Sequence, residues 1–575
     1  MSKLKITNEN KAKLFKSIVI LIVLLISTLI VCIPMIKHPN LAWHENDGIQ
    51  HIARFIGMED TLKQGEFLPL IMSNLCNGFG YSWNIFYSPL TDVVPLLLRL
   101  FALNFDMVLK LSMAIATFLS GYAMFRFVKK VSNSNKAALF GACLYILAPY
   151  RLTDIYLRHA FAELVSFIFL PMVMSSLYGI FAKKEKGYLL AISTSLLILT
   201  HTIITAYFAV ICFIYLLVNI KKLKEKDVLF TLLKNILVII LLTAFFIVPF
   251  MEHKLATDYE VFNFSSMIRE DILMGLRVDP LNLLITTEND FFVFDIGLIT
   301  IVGIVFGVLA LGKLRKESSD LKKLYVTLLI VGILFLILSL NIFPFDKMPE
   351  LLKMIQFTYR FLEFTSFIFS FIAAINIYEL VKDYKFNDYI YITLIIVAML
   401  NIYPYSDKVL VGKFDEERLY GEGMRLTEYT GRVHGGMATL EYLPSKAYNN
   451  REYIIKRKDQ VVSDNEYIEI KDYNKQGDNF SAKLLNVKKG DKIELPYIYY
   501  LGYRISLNGN ELDKYNESQY GFIEIIADQD YDELEIKSHY LGTNKTLIAY
   551  GISTLTAMYL VAYYIMNKSK NKKEQ

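Results

Sequence analysis

Two histidines, two carboxylates and an arginine lie within the twelve residues HENDGIQHIARF, which begin at position 44. Closely spaced carboxylates and histidines can accept and release protons, and an arginine can hold a phosphate through its planar fork of donors. If the chain is helical from Asp47 onward, Asp47, His51 and Arg54 recur at i, i+4 and i+7 and share one face. The pattern predicts an amphipathic helix on a membrane surface, whose charged face turns toward a polar partner.

A second group of charges lies in PYRLTDIYLRHAFAE, at positions 149–163. Arg151, Asp154, Arg158, His159 and Glu163 crowd together there, and Glu163 stands about one turn inside an apolar run. A carboxylate at that depth costs at least about 2 kcal/mol unless it is paired or hydrated. Two interpretations are open: a structural ion pair, for instance with His159, or a carboxylate that lines a polar cavity open to the outside.

A third group is KMIQFTYRFLEF, at positions 353–364, with Gln356 and Arg360 at the start of a predicted span. Such an arginine either grips a phosphate at the level of the lipid headgroups or extends to the interface as a structural residue. His201 stands between two short apolar runs, where a lone histidine is more often structural than catalytic.

Composition indicates a membrane protein that spans the bilayer several times. The chain has 575 residues, 54% of them hydrophobic, and a mean hydropathy of +0.37. A net charge of +5 does not suggest a nucleic-acid partner. The sequence contains no GxxxxGK[ST], no HExxH, no CxxC and no convincing GxGxxG turn, so a donor substrate would have to come from the membrane.

About twelve apolar runs are long enough, or nearly so, to span a bilayer: 16–37, 107–128, 135–149, 161–181, 187–200, 202–219, 228–250, 291–312, 322–340, 362–381, 387–404 and 544–566. The first resembles an uncleaved signal anchor. Lysine-rich connections fall on one side and predict that both termini are cytoplasmic, in a bacterial plasma membrane. LTDVVPLLLRLF, at 90–101, is too short to span and is predicted to be interfacial or re-entrant.

The fold class is therefore mainly α: a polytopic transmembrane helical bundle over 1–404, with candidate catalytic loops at 38–106 and 150–160. Residues 405–543 contain alternating runs separated by turn signals such as Asn508-Gly509, which predict a small extracytoplasmic antiparallel β domain. That domain has no obvious catalytic cluster, and a carbohydrate-binding or shape-giving module is the simpler interpretation. Residues 544–575 form a last span and a basic cytoplasmic tail.

The order of these segments resembles that of the C-type superfamily of polytopic glycosyltransferases (GT-C). An Asp-bearing helix is followed by GEFLP, NGFGYSWNIFYSPL, PYRLTDIYLRHAFAE and QFTYRFLEF. Within the superfamily the chain is most similar to the bacterial YfhO-like proteins and to the membrane family labelled "6-pyruvoyl-tetrahydropterin synthase-related", although nothing here resembles a soluble pterin enzyme. The resemblance covers about residues 15–400, and EYLP (441–444) and YYLGYRISLNG (499–509) are similar to the family's external domain.

The resemblance implies a hexosyltransferase that uses a sugar carried on a polyprenyl phosphate, with an active site on the outer face and an extracytoplasmic glycan, polymer or protein as acceptor. It implies that Asp47 is the general base, that Asp154 and Glu163 orient the acceptor or hold an ion, and that Arg360 contacts the leaving phosphate. The other substrate-binding candidates are His51, Arg54, Arg151, His159, Gln356 and His201. The candidate catalytic loops at 38–106 and 150–160 contain no compact Asp-x-Asp, so metal dependence stays open; the ligands of a Mg²⁺ or Mn²⁺ ion would be Asp47 and Asp154.

Two other classes of function are compatible with a polytopic chain. A lipid or oligosaccharide transporter or flippase would also need polar groups near the outer leaflet, but it would usually show paired inverted halves with broken helices at the midplane. An envelope assembly protein is supported only by the predicted β domain. The carboxylates concentrated in outer loops favour the enzyme.

Overall fold

The computed structural model describes residues 8–38, 47–66, 69–263, 278–283, 295–344, 347–349, 355, 357–400 and 440–573. It confirms the predicted class: a helical membrane bundle accompanied by a separate small β domain toward the C-terminus. The α-helices are α1 (Asn8–Lys37), α2 (Gly48–Lys63), α3 (Trp83–Phe86), α4 (Leu90–Arg99), α5 (Phe105–Ser132), α6 (Asn135–Ile146), α7 (Pro149–Tyr156), α8 (Phe161–Lys183), α9 (Leu189–Ile198), α10 (Thr202–Val218), α11 (Lys226–Ala256), α12 (Glu260–Asn263), α13 (Leu298–Val305), α14 (Gly307–Leu314), α15 (Ser319–Ser339), α16 (Phe361–Val381), α17 (Asn387–Leu400), α18 (Ser445–Asn449), α19 (Arg451–Lys456) and α20 (Asn544–Lys573).

In the described part of the chain, seven helices are long and apolar enough to cross a membrane, or eight if α6 and α7, which meet at a bend of 40°, form one span. The seven are Leu14–Lys37, Phe105–Ser132, Phe161–Lys183, Lys226–Ala256, Ser319–Ser339, Thr358–Val381 and Asn544–Ser569. Each of the twelve predicted runs contains a helix, but α9, α10 and α17 are shorter, and the run at 291–312 holds the two short helices α13 and α14. The predicted orientation of the termini stays a prediction.

The chain divides into two compact units. The first comprises residues 1–46, 107–236 and 269–414, and the second comprises 47–106, 237–268 and 415–575. Two of the predicted chemical groups, at 149–163 and 353–364, therefore belong to the first unit, whereas Asp47 and its helix belong to the second.

Helix α16 is the packing centre of the first unit, and it contacts α6, α8, α13, α14 and α15. Glycines on its neighbours allow a close approach, because a Cβ added at Gly141 would lie 2.8 Å from Ala374 and one added at Gly303 would lie 2.5 Å from Ala373. Small residues at such interfaces let helices pack closely without side chains in between. Helix α16 is thereby held firmly, and the residues at its first turn are positioned with it.

Helix α2 confirms the predicted helix after Asp47, but its surroundings differ from the expected membrane surface. His51 and Arg54 are buried on one side, and Ile52, Phe55 and Ile56 are buried as well. The helix is therefore enclosed by protein within the second unit. Helix α4 occupies the segment predicted to be interfacial; its residues Val93 and Leu97 are exposed, and so are Leu100 and Phe101 directly after it.

The β domain has nine strands in two antiparallel sheets, with orders β1-β4-β8-β7 and β2-β3-β9-β5-β6. The strands are β1 (Val462–Ser463), β2 (Glu469–Gln476), β3 (Asn479–Val487), β4 (Lys492–Ile498), β5 (Tyr503–Leu507), β6 (Asn510–Glu511), β7 (Asn516–Glu517), β8 (Phe522–Ile526) and β9 (Tyr531–Tyr540). Strand β5 alternates buried and half-buried residues, as predicted for a strand with one face on a core. The predicted Asn508-Gly509 turn joins β5 to β6, and both turn residues have positive φ, as a tight two-residue hairpin requires.

In the second unit, the loop after α2 contacts this β domain through the carboxylate of Glu66. The Oε1 atom of Glu66 accepts hydrogen bonds from the hydroxyl of Ser73 at 2.8 Å and from the backbone N–H of Asp478 at 3.1 Å. Asp478 lies in the turn between β2 and β3. Burial, together with the nearby charge of Asp478, raises the pKa of Glu66 to about 7.

Candidate functional site

Glu163 lies in the first turn of α8, at the centre of a buried network of charges in the first unit. Its two carboxylate oxygens accept hydrogen bonds from Arg158 at 2.6 and 2.7 Å. The same guanidinium group donates to Oδ1 of Asp154 at 2.7 Å, so it bridges the two carboxylates. Of the two interpretations open for Glu163, the structure shows the ion pair.

The partner in that ion pair is Arg158, whereas helical spacing had suggested His159. The difference comes from the backbone, because His159 has a left-handed φ of 52° in the turn between α7 and α8. The chain reverses there, so the one-turn spacing of a continuous helix does not apply between positions 159 and 163. His159 itself is buried.

Arg360 reaches the same carboxylate from a part of the chain 197 residues away. Its Nε donates to Oε1 of Glu163 at 2.7 Å, and its Nη1 donates to the backbone carbonyl of Ile355 at 3.0 Å. The guanidinium group also lies 5.2 Å from the centre of the Phe357 ring. The structure therefore brings together Asp154, Glu163 and Arg360, three predicted residues that come from two distant segments of the chain.

Aromatic side chains surround these charges, and the hydroxyl of Tyr150 adds hydrogen bonds to two of them. The hydroxyl of Tyr150 donates to Oε2 of Glu163 and accepts from Nη1 of Arg158, both at 3.1 Å. The ring of Tyr359 lies 4.9 Å from the guanidinium group of Arg158. Charges taken out of water need this degree of pairing, and cation–π contacts add to it.

A further carboxylate of α16 lies beside the network. The hydroxyl of Ser166 donates to Oε1 of Glu363 and lies 2.5 Å from the carbonyl oxygen of Glu163. This serine links the first turns of α8 and α16. Arg151 is fully buried, its Nε donates to the carbonyl of Tyr145 at 3.2 Å, and its guanidinium group lies 4.1 Å from the ring centre of Phe167.

His201 immediately precedes α10, and its ring Nδ1 accepts a hydrogen bond from the backbone N–H of Ile204 at 3.4 Å. Burial and the positive charge of Arg360 lower the pKa of His201 to about 3, even though Glu163 acts in the opposite direction. The imidazole is therefore neutral at physiological pH. His201 thus interacts electrostatically with Arg360 and Glu163 of the network, and its ring caps the start of α10.

The second unit contains a different cluster of charged and polar side chains, which is centred on Arg54 of α2. Arg54 is fully buried and forms an ion pair with Oδ2 of Asp92 at 2.8 Å. It also donates to the hydroxyl of Thr91 at 2.9 Å and to the carbonyl of Ser88 at 3.0 Å, and it lies 4.3 Å from the centre of the Tyr87 ring. The sequence predicted a polar partner for this face of the helix. For Arg54 that partner is the carboxylate of Asp92, in the same chain. Burial raises the pKa of Asp92 to about 6, against the effect of Arg54.

Asp47 precedes the first residue of α2 and is half-buried, and its carbonyl accepts the backbone N–H of His51 at 3.2 Å. The ring of His51 lies 6.1 Å from that of Tyr87. The charge of Asp47 is felt by Glu441 and Tyr442 of the same unit. Burial is the main cause, and Asp47 a further one, of a Glu441 pKa raised to about 7.

Some predicted residues lie outside the described part of the chain, namely His44, Glu45 and Gln356. Among the residues that the structure describes, no group of three or more histidine, cysteine, aspartate or glutamate side chains could hold a metal ion. Asp47 and Asp154 belong to different units, so their suggested role as shared metal ligands stays a prediction.

Sequence reasoning missed Asp92, Glu441 and Ser166. The role of Asp92 could have been found from the sequence, because it is the one carboxylate in a largely apolar segment. A charge in such a place needs a buried partner. Glu441 stands in EYLP, a motif noted only for its similarity to the family. Ser166 carried no signal, because a serine within an apolar helix commonly bonds to the helix's own backbone.

A family profile and one distant relative match parts of the chain. The profile of a family described as "6-pyruvoyl-tetrahydropterin synthase related domain; membrane protein" matches residues 86–408. An uncharacterized protein of Lactococcus lactis subsp. cremoris is 25% identical over 228 residues, which are 38% of this chain and 37% of that protein. The chain thus matches little more than a third of the length of that relative.

Among solved structures, two crystal structures of the oligosaccharyltransferase of Archaeoglobus fulgidus are similar at 13% identity. The complex with zinc and sulfate has a TM-score of 0.45 over 70% of this chain and 55% of the other. The apo form has a TM-score of 0.41 over 70% of this chain and 57% of the other.

Proposed function

The chain belongs to the 6-pyruvoyl-tetrahydropterin synthase related family of membrane proteins, and we propose that this member is a membrane-embedded glycosyltransferase. Its donor is a sugar carried on a polyprenyl phosphate, and its acceptor is a hydroxyl group of an extracytoplasmic glycan, polymer or protein. The proposal rests on the order of the sequence motifs, which is similar to that of GT-C enzymes, and on the charge network of the first unit.

The observation that carries the proposal is the pair of arginines on Glu163. Arg158 and Arg360 are held by one carboxylate at the first turns of α8 and α16. Helix N-termini have a positive electrostatic potential, and guanidinium groups match the geometry of phosphate oxygens. A leaving polyprenyl phosphate gains negative charge as its bond to the sugar breaks, and this arrangement suits the stabilisation of that charge.

In this proposal Glu163 and Asp154 are positioning residues. Every short contact of Glu163 given above is with a donor, so its oxygens hold Arg158 and Arg360 in place rather than accept a proton from a substrate. Asp154 restrains Arg158 from the other side. Arg360 contacts the phosphate of the donor, and Asp47 acts as the general base on the acceptor hydroxyl.

The proposed reaction is a substitution at the anomeric carbon of the sugar. The acceptor oxygen forms a bond to that carbon, and the bond from the carbon to the phosphate oxygen breaks. The electron pair of the broken bond stays on the phosphate, and the hydroxyl proton passes to Asp47. The bonds, electrons and proton of this reaction balance without a cofactor.

The test uses the full chain in lipid vesicles with a panel of radiolabelled undecaprenyl-phosphate hexoses and an extract of cell-envelope glycans as acceptors. We expect the wild type to consume one donor, and Asp47→Asn to lower that rate by about 100-fold or more. Asp513→Asn, which alters an exposed carboxylate of the same unit, is the matched control and should keep the wild-type rate.

The outcomes separate the classes of function. Equal rates for wild type and Asp47→Asn would reject Asp47 as the base. Movement of a labelled donor between the leaflets without any sugar transfer would identify a flippase and reject the glycosyltransferase. Neither binding nor turnover of any donor in the panel would reject both.

A further inference from the structure

Arg151 of α7 is a fully buried cation whose terminal nitrogens make no hydrogen bond to the described part of the chain. Its Nε donates to the carbonyl of Tyr145 at 3.2 Å. The ring centres of Phe167 and Tyr145 lie 4.1 and 5.1 Å from the guanidinium carbon. Cation–π contacts offset part of the cost of burying the charge, but they leave the N–H donors on Nη1 and Nη2 unsatisfied.

Two fully buried carboxylates of the first unit are each engaged through one oxygen. Asp154 lies three residues after Arg151 on α7, so the two side chains share a face of that helix. The Oδ1 atom of Asp154 accepts from Arg158 at 2.7 Å, whereas its Oδ2 has no hydrogen-bond partner among the described residues. Glu363 of α16 accepts the hydroxyl of Ser166 with Oε1, and within the same ranges its Oε2 has no partner either.

Helix packing gathers these groups into one buried part of the first unit. Helix α16, which carries Glu363, packs against both α7 and α8. On α8, the ring of Phe167 covers Arg151, and the preceding Ser166 binds Glu363. The hydroxyl of Tyr145 fixes this part of α8 by donating to the carbonyl of Phe167 at 2.9 Å. Arg151 interacts electrostatically with both carboxylates.

The unsatisfied atoms include donors and acceptors, which restricts the ligand that they suit. A phosphate would satisfy the guanidinium group but would meet two carboxylates of like charge. A metal ion would be attracted by the carboxylates but repelled by the guanidinium group. A hydroxyl group can accept from an arginine and donate to a carboxylate at the same time, and it carries no charge.

On the basis of the proposed function, we infer that Arg151, Asp154 and Glu363 form a binding site for hydroxyl groups, which come from the sugar of the donor or from water. Buried polar groups need such partners, because each unsatisfied donor or acceptor opposes folding. Water fills this need elsewhere in proteins by bonding to about three buried polar groups at once.

Arg158 connects the hydroxyl site to the proposed phosphate site. Its guanidinium group bonds to Asp154 at 2.7 Å and to Glu163 at 2.6 Å, and Glu163 in turn holds Arg360 at 2.7 Å. The sugar and the phosphate of one donor would thus be bound by adjoining parts of a single network. Arg151, Asp154 and Glu363 would then select the sugar, while Arg360 contacts the phosphate.

The first test measures kcat/KM for sugar transfer by the full chain in lipid. The substrates are the undecaprenyl-phosphate hexose that the wild type consumes and analogues in which one hydroxyl at a time is replaced by hydrogen. Hydrogen bonds to charged groups are strong, so the wild type should use at least one analogue about 10-fold less efficiently or worse. Glu363→Gln keeps the size of the side chain but replaces an acceptor oxygen with an NH₂ donor, and it should reduce this preference to about 3-fold or less.

The matched control is Glu379→Gln, the same substitution on the same helix. Glu379 pairs with Lys382 at 2.8 Å and lies outside the network, so this variant should keep the wild-type preference. An equal preference in the wild type and in Glu363→Gln would exclude the sugar as the source of the hydroxyl groups.

The second test is a cryo-electron microscopy map of the wild-type chain in lipid nanodiscs, with and without the donor, and it does not depend on turnover. Density should lie about 2.7–3.2 Å from Nη1 or Nη2 of Arg151. Density that joins the sugar when the donor is added would identify the sugar as the source, and isolated density in both maps would identify water.

Two observations would overturn the inference: no density at those nitrogens in either map, or a phosphate or a protein side chain bonded to them. Absence of transfer by the wild type with any donor would reject the proposed function instead. The map without donor would still decide whether the hydroxyl site exists.

Discussion

The two units treat their carboxylates in opposite ways. In the first unit Glu163 accepts hydrogen bonds from two arginines and a tyrosine, at distances of 2.6 to 3.1 Å. In the second unit Glu441 has another carboxylate, Asp47, as an electrostatic neighbour. The first arrangement uses a negative charge to hold positive groups, whereas in the second, burial and a neighbouring negative charge raise the pKa of Glu441 to about 7.

This contrast shows that the groups around a carboxylate, together with its burial, decide what it can do. Asp154 and Glu163 are the more deeply buried, and depth made them attractive as catalytic candidates. Yet Glu163, whose two oxygens both accept hydrogen bonds from guanidinium groups, is a poor proton acceptor. Three predictions test the contrast, from the largest expected effect to the smallest.

The largest effect is expected for Glu163→Gln. The change leaves Arg158 and Arg360 buried without their shared counter-ion, which typically costs about 3–5 kcal/mol of unfolding free energy. We therefore expect a much lower midpoint of thermal unfolding in detergent, measured by the loss of helical circular dichroism.

The matched control for that change is Glu185→Gln in the same unit. Glu185 pairs with Lys130 at 2.6 Å, but its side chain is 44% exposed. A pair of this kind contributes about 1 kcal/mol or less. If the two variants unfold at the same midpoint, the network around Glu163 is not the stabilising element that its geometry indicates.

A smaller effect, with a dependence on pH, is expected for Arg54→Met. The change leaves Asp92 buried without its partner, but Asp92 can escape the penalty by taking up a proton. Its pKa is already raised to about 6 by burial, and removal of Arg54 raises it further. We expect a loss of about 2 kcal/mol at pH 8.

The sign of the pH effect follows from that raised pKa. A carboxyl whose pKa is higher in the folded state than in the unfolded state destabilises the fold as the pH rises toward the folded-state value. Arg54→Met should therefore unfold at a higher temperature at pH 5 than at pH 8. The double variant with Asp92→Asn should lose this difference, and its persistence there would show that another group is responsible.

The smallest effect is expected for Glu66, which tests whether two neighbouring carboxylates always take part in catalysis. Its pKa, about 7, is raised by burial and by Asp478, and its contact joins a loop to the β2–β3 turn. As the pH falls from 8 to 5, protonation of Glu66 should weaken the hydrogen bond that its Oε1 accepts from the backbone N–H of Asp478, so the protection of that amide relative to its intrinsic exchange rate should fall. Glu66→Gln should abolish the change and leave sugar transfer unaffected. A transfer rate that falls in Glu66→Gln would show that this contact takes part in the reaction and is not merely structural.

The sequence predicted local features well. The helix after Asp47, the Asn508-Gly509 hairpin and the crowding of charges around Glu163 all depend on residues close together in the chain, where periodicity and turn chemistry suffice.

Long-range pairing was harder to predict. The contact of Arg360 with Glu163 spans 197 residues, and only the resemblance to a family linked the two. The partner of Arg54 could not be identified, because Asp92 had been assigned to an interfacial segment. The burial of α2 by protein was missed for a related reason: an amphipathic pattern does not distinguish a membrane surface from the apolar interior of a domain.

The glycines around α16 have a consequence for genetics. A single methyl group at Gly141, Gly303 or Gly332 would meet an atom of α16 at 2.5 to 2.8 Å, so the smallest possible side chain already displaces the helix that begins directly after Arg360. Alanine alleles at these three positions should behave as temperature-sensitive alleles, able to support growth only when the displaced helix can still be accommodated. They would allow the protein to be switched off in a living cell without a change to any charged residue.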